Sequence, residues 1–123
     1  MIILVDDDAD QRLTLRLALE LAGYSVREAM HGREALALQR ERPSPFLITD
    51  IFMPESDGFE AIEGFRREFP KTKIIAVSGG GQRAKHDYLS SAKLVGVDAT
   101  LQKPFEIDAL LDALRALKAK LTR

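Results

Sequence analysis

The chain has 123 residues, 18 basic and 19 acidic, with a net charge of −1 and no cysteine. That balance argues against a polyanion-binding surface, and the missing thiols exclude disulfides and thiolate metal sites. No apolar run approaches the roughly 20 residues of a membrane span and no signal peptide is apparent, so neither nucleic acid nor membrane is an expected partner and the expected location is cytoplasmic.

Ile2-Ile3-Leu4-Val5 is a continuous apolar run, the pattern of a strand buried on both faces. It runs into Asp6-Asp7-Asp8, of which Asp8 is placed to cap a helix over Ala9–Ala22, with Gly23 as its stop. That helix carries two leucine columns. Leu15, Leu19 and Ala22 face one way, and Leu13, Leu17 and Leu21 lie roughly opposite. Tyr24–Ala29 reads as a second strand, and Met30-His31 after it suggests no chemistry. Gly32–Arg42 follows as a helix closed by Pro43 and Pro45. Phe46–Asp50 is the third strand. Met53-Pro54 and Asp57-Gly58 shape a loop, with Asp57 as cap of a third helix over about Gly58–Phe69. Phe59, Ile62, Phe65 and Phe69 form its apolar face, and Pro70 ends it.

Lys73–Val77 is a fourth strand, leading to Ser78 and then Gly79-Gly80-Gly81. A fourth helix is predicted over Arg83–Val95, stopped by Gly96, and a short strand over Asp98–Gln102 precedes Lys103-Pro104-Phe105. The last helix sets Ile107, Leu110, Leu111, Leu114, Leu117 and Leu121 on one face. Strict alternation of strands and helices predicts an α/β fold, a parallel five-stranded sheet covered by helices on both faces. One domain over residues 1–123 is expected, its core burying about two-thirds of the unfolded chain's surface.

In open sheets of this kind ligands sit beyond the carboxyl ends of the strands. The first strand delivers Asp6 and Asp7 there, the third Asp50, the fourth Ser78 and the fifth Lys103. Singly these residues are a helix cap, a turn serine and a loop lysine; together they form a specific set. Three carboxylates against one amine leave two negative charges, and crowded carboxylates resist ionising together unless a cation joins them. Mg²⁺ suits such a site, being a hard ion held by one or two carboxylates plus waters and phosphate oxygens. If Asp50 took up a phosphoryl group, it would exchange its own charge for about −2, leaving the site near −1 with the metal and near −3 without it. Metal and lysine together make an aspartyl phosphate tolerable, with the Ser78 hydroxyl and the Lys103 amine on its equatorial oxygens.

The sequence resembles a response-regulator receiver domain, of the CheY-like superfamily, the phosphoacceptor half of bacterial two-component signalling. The motifs that carry the likeness are Val5-Asp6-Asp7, Thr49 to Gly58, Ser78 and Lys103 to Phe105, and it covers the whole chain. The resemblance implies a flavodoxin-like three-layer (βα)5 fold with strand order 2-1-3-4-5. It implies phosphorylation of Asp50 by a sensor histidine kinase or histidine phosphotransfer protein. Asp7, Asp50 and the Phe52 carbonyl would bind Mg²⁺, for which Mn²⁺ can substitute, and Asp6 would do so through water. It also implies a cis peptide between Lys103 and Pro104. A receiver signals by changed contacts with a downstream protein, unknown here, and assists its own phosphotransfer and slow dephosphorylation without being an enzyme for another substrate. The resemblance puts Leu15 and Leu19 on the sheet. That leaves Leu13, Leu17 and Leu21 either as part of a more deeply buried helix or as an apolar stripe for a kinase or phosphotransfer helix, or a homodimer. The chain is either a stand-alone regulator or the receiver of something larger.

Three positions depart from the family pattern, in two ways. Thr100 replaces the usual aromatic switch residue three places before the lysine, so the output is expected to pass elsewhere, through the glycine loop after Ser78. Two rival readings are a phosphorylation-independent pseudo-receiver and a haloacid-dehalogenase-type phosphohydrolase using Asp6 and Asp8. The hydrolase lacks its expected Thr or Val at Asp10 and an acidic pair after Lys103. The second departure is at the positions two past Asp50 and two past Ser78. Phe52 and Gly80 offer an attacking water no side-chain handle, so a long-lived phosphoryl group is expected. Purified phosphoprotein should lose label more slowly than its Phe52→Asn variant; faster loss from the native chain contradicts this.

Overall fold

The computed structural model describes residues 1–51, 58–78, 96–103 and 105–121, with the backbone alone for 58, 59 and 78. Strands β1 (Ile2–Val5), β2 (Val26–Ala29), β3 (Phe46–Asp50), β4 (Lys73–Ser78) and β5 (Ala99–Gln102) form one parallel sheet in the order 2-1-3-4-5. The described helices are α1 (Ala9–Leu21), α2 (Gly32–Glu41), α3 (Gly58–Glu68) and α4 (Ile107–Leu121). The predicted fourth helix, the glycine loop, Phe52 to Asp57 and the Lys103–Pro104 peptide lie outside the described residues.

Two apolar layers sandwich the sheet. On one face Ile3, Val5, Leu47, Ile74 and Ala76 pack against Leu36 of α2 and Ile62 and Phe65 of α3. On the other, Ile2, Leu4, Phe46, Ile48, Ile75 and Val77 meet Leu19 of α1 and Leu110, Leu114 and Leu117 of α4. Because neighbouring strand residues point to opposite faces, the unbroken apolar runs of β1, β3 and β4 fill both layers. Leu15 packs with Leu19, while Leu13, Leu17 and Leu21 are 43%, 48% and 91% exposed. Ala22, expected with the packed column, is exposed at the helix cap, and Leu121 is exposed because it sits in the last turn of α4.

Helix ends and strand starts follow local hydrogen bonding. Asp8 caps α1, its Oδ1 accepting the N–H groups of Asp10 at 3.0 Å and Gln11 at 3.2 Å. Gly23, at φ 100°, closes the helix by donating to the Glu20 carbonyl, and Tyr24 donates to that of Leu19. Tyr24 is thereby taken up by the helix stop, so β2 begins at Val26 and not at Tyr24. Asp98 leads into β5 without joining it; its Oδ2 accepts from the Ile74 N–H and from Arg66, each at 2.7 Å. His31 caps α2, its Nδ1 accepting the Glu34 N–H at 3.2 Å.

At the amino edge of the sheet, Gln39 is fully buried yet satisfied. Its Oε1 accepts the Ser44 N–H at 2.8 Å, and its Nε2 donates to the Ser44 carbonyl and to Thr72 Oγ1. Helices α2 and α3 approach through glycine. A Cβ on Gly32 would lie 2.9 Å from the Ala61 backbone nitrogen, whereas the nearest atoms to one on Gly64 belong to the Leu36 side chain, its Cδ1 at 2.5 Å. Backbone cannot yield as a leucine rotamer can, and alanine gains up to ~1 kcal/mol of helix propensity over glycine. Gly32→Ala should therefore destabilise by about 1–3 kcal/mol and Gly64→Ala by clearly less; denaturant titration showing the reverse order contradicts this packing.

Candidate functional site

The register of the sheet fixes what meets at its carboxyl edge. Val5 of β1 pairs with Thr49 of β3, so Asp6 and Asp50 leave adjacent strands side by side. Asp50 pairs with Val77 of β4, and Gln102 of β5 pairs with Ser78, which places Ser78 and Lys103 at the same edge. Lys103 thus starts two strands from Asp50, roughly 10 Å at ordinary strand spacing, a gap that only a long side chain crosses.

It does cross. The Lys103 ammonium lies 3.1 Å from Asp50 Oδ2 and 3.6 Å from Asp6 Oδ2, and it also donates to Gln11 Oε1. Both acids are buried, Asp6 2% and Asp50 8% exposed. Asp6 Oδ1 accepts the Asp8 N–H at 2.9 Å. The Asp50 backbone is set by its strand partners, and its carbonyl accepts from Thr49 Oγ1 at 3.1 Å. Asp7 is exposed at the rim of the same edge. Thr100 is half-buried on the edge strand opposite Ala76. Nothing is described of the Ser78 side chain or of Phe52.

Burial pushes the Asp6 carboxyl above the ordinary carboxylate range. The Asp8 N–H and Lys103 offset part of that shift, while the Asp50 and Asp7 charges add to it. The donor atoms are hard carboxylate oxygens, which suit Mg²⁺ or Mn²⁺ rather than a softer metal. Among the described residues no three His, Cys, Asp or Glu side chains converge as a closed metal cage. Mg²⁺ keeps several waters and takes one or two carboxylates, so the buried pair Asp6 and Asp50 suits it without such a cage.

Three supporting residues escaped the sequence reading. Arg12 on α1 donates from Nη1 to the Asp6 carbonyl at 2.6 Å and from Nε to Glu28 Oε1 on β2 at 2.8 Å. Arg16, one turn on, takes the other Glu28 oxygen at 2.6 Å. The four-residue spacing of the arginines puts them on one helix face, but their partner on β2 is invisible before the topology is known. Gln11 has a readable signal, standing three residues after the cap Asp8 as a capping-box glutamine would.

A doubly wound sheet with two buried acids and a crossing lysine at its carboxyl edge defines a module whose chemistry is built from acid side chains on strand ends. Residues 2–115 match the response regulator receiver domain family, and the chain belongs to it. It is a receiver domain of the response regulators of two-component signalling, a signalling family and not generally a catalytic one. The chemotaxis protein CheY of Thermotoga maritima is 35% identical over 114 residues, 92% of each chain. The response regulator MprA of Mycolicibacterium vanbaalenii is 34% identical over 125 residues, which cover 98% of this chain and 51% of that one. The crystal structure of the receiver domain of NtrX from Brucella abortus superposes with a TM-score of 0.85 at 29% identity, covering 96% of this chain and 98% of that one.

The buried Asp6 charge gives a pH-dependent prediction for metal-free protein. Asp6 binds its proton more tightly folded than unfolded, so stability falls as pH rises from the unfolded value of 3.8 through the raised folded one. Asp6→Asn keeps an oxygen for the Asp8 N–H and removes that loss. The variant should melt higher than the native chain near neutral pH, with the gap closing in acid. A lower melting temperature at neutral pH contradicts it.

Proposed function

We propose that this receiver accepts a phosphoryl group on Asp50 from the phosphohistidine of a sensor histidine kinase or histidine phosphotransfer protein. The observation that carries the reading is the Asp50 carboxylate, at the end of β3, held 3.1 Å from the Lys103 ammonium. An Asp50 oxygen forms the new bond to phosphorus as the bond from phosphorus to the imidazole nitrogen breaks, and the imidazole leaves with the electron pair. The carboxylate is buried beside a cation, so the nucleophile needs little reorganisation on attack. Lys103 then pairs with a phosphoryl oxygen in place of the carboxylate, and Ser78 donates to another. Mg²⁺ would be held by Asp7, Asp50 and the Phe52 carbonyl, with Asp6 acting through water. When bound, it neutralises charge on the transferring phosphoryl oxygens.

The exposed side chains of Leu13, Leu17 and Leu21 give the kinase or phosphotransfer helix an apolar stripe to dock on, with a homodimer contact as the other use of that face. Output follows through changed contacts with a downstream protein. No described helix is long and apolar enough to cross a membrane, and the domain is proposed to work in the cytoplasm. Thr100 gives too little bulk for the family's aromatic switch, so the readout is proposed to leave from the segment after Ser78.

Incubation with radiolabelled acetyl phosphate tests this. The native chain should label only with Mg²⁺ or Mn²⁺ present, and Asp50→Asn should fall to background. Equal labelling of both removes Asp50 as acceptor. No labelling of the native chain leaves a binding module that does not use phosphorylation.

A further inference from the structure

Among the described residues, the three N–H donors of Lys103 face two carboxylates, Asp50 Oδ2 at 3.1 Å and Asp6 Oδ2 at 3.6 Å. The third acceptor is the neutral Gln11 Oε1, from the first turn of α1. In a capping box a glutamine at this position turns back to accept the N–H of the cap residue. Here that N–H, on Asp8, already donates to Asp6 Oδ1 at 2.9 Å. The glutamine is thereby left to reach outward, while its own backbone N–H stays fixed on Asp8 Oδ1 at 3.2 Å.

We propose that Gln11 is a positioning residue for Lys103, its carboxamide oxygen drawing the ammonium toward α1 and setting how that amine faces Asp50. The functional consequence rests on the reading of Asp50 as phosphoacceptor. Without the Gln11 oxygen, the amine settles further onto Asp6 and Asp50. There it competes for the oxygens that must be free for attack and for a cation. A neutral acceptor corrects the position without adding a fourth acid to the site. Gln11 is also exposed and two residues from Leu13, so the amine's position is tied to the part of α1 that carries the leucine stripe.

A double-mutant cycle of Gln11→Leu against Lys103→Met tests this, because a residue that acts through Lys103 has no effect once the lysine is gone. Two readouts are used. In metal-free protein, Gln11→Leu should lower the melting temperature by about 2–4 °C in the native background and leave Lys103→Met unchanged. In Mg²⁺-dependent labelling by acetyl phosphate, Gln11→Leu should slow the initial rate roughly threefold to fivefold, the rate equivalent of one modest hydrogen bond. Gln11→Glu, which keeps an acceptor for the amine but adds a fourth acid, should recover the melting temperature and not the rate. Equal losses in both backgrounds would mean that Gln11 serves only the helix, and no loss in either would mean that it does not hold the amine; both overturn the proposal. The metal-free cycle needs no phosphoryl transfer. If the native chain takes up no label, the phosphoacceptor reading fails while the coupling of Gln11 to Lys103 is still decided.

Discussion

Two carboxylates leaving adjacent parallel strands are buried side by side and share one ammonium, at 3.6 and 3.1 Å. Coulomb repulsion and lost hydration both act against them. The Lys103 ammonium, carried on a long aliphatic stem and reaching across β4 from β5, contacts both acids. Much of the site depends on that contact. It accounts for burial of Asp6 and Asp50 as a tolerable state, and for the use of lysine at a distance no shorter side chain spans. It also leaves a site whose remaining negative charge invites a divalent cation.

The rest of the chain serves to hold those strand ends in register. Both apolar layers are needed, because a one-residue slip of β1 or β3 would move their acids off the edge and their side chains to the wrong face. Arg12 adds a polar clamp, tying the Asp6 carbonyl to Glu28 on the outer strand β2. The buried Gln39, Ser44 and Thr72 set closes the opposite edge, where the chain enters β3 and β4. The first turn of α1 serves both structure and site: Asp8 caps the helix, and Gln11 beside it reaches the lysine.

Much of this was readable from residues alone, for physical reasons that differ by element. The apolar runs Ile2–Val5 and Phe46–Asp50 mark buried strands because only an unbroken run suits a strand covered on both faces. The meeting of Asp6, Asp50 and Lys103 was legible because strand ends in a parallel sheet share one edge. The start of β2 was misjudged because Tyr24 looks like a strand residue and is claimed by the helix stop instead. Gln39 gave no sign of burial, since its partners Ser44 and Thr72 come from two different connections. The clamp of Arg12 on Glu28 depended on β2 lying beside β1, which no local pattern states.

Asp50, and no neighbouring acid, is the residue proposed to become the acyl phosphate. Borohydride reduces an acyl phosphate to an alcohol and so converts the modified aspartate to homoserine in place. After reaction with acetyl phosphate and Mg²⁺, peptide mass spectrometry of the reduced protein should place homoserine at position 50. Homoserine at Asp6 or Asp7, or no homoserine in protein that had taken up label, would rule out Asp50 as the acceptor.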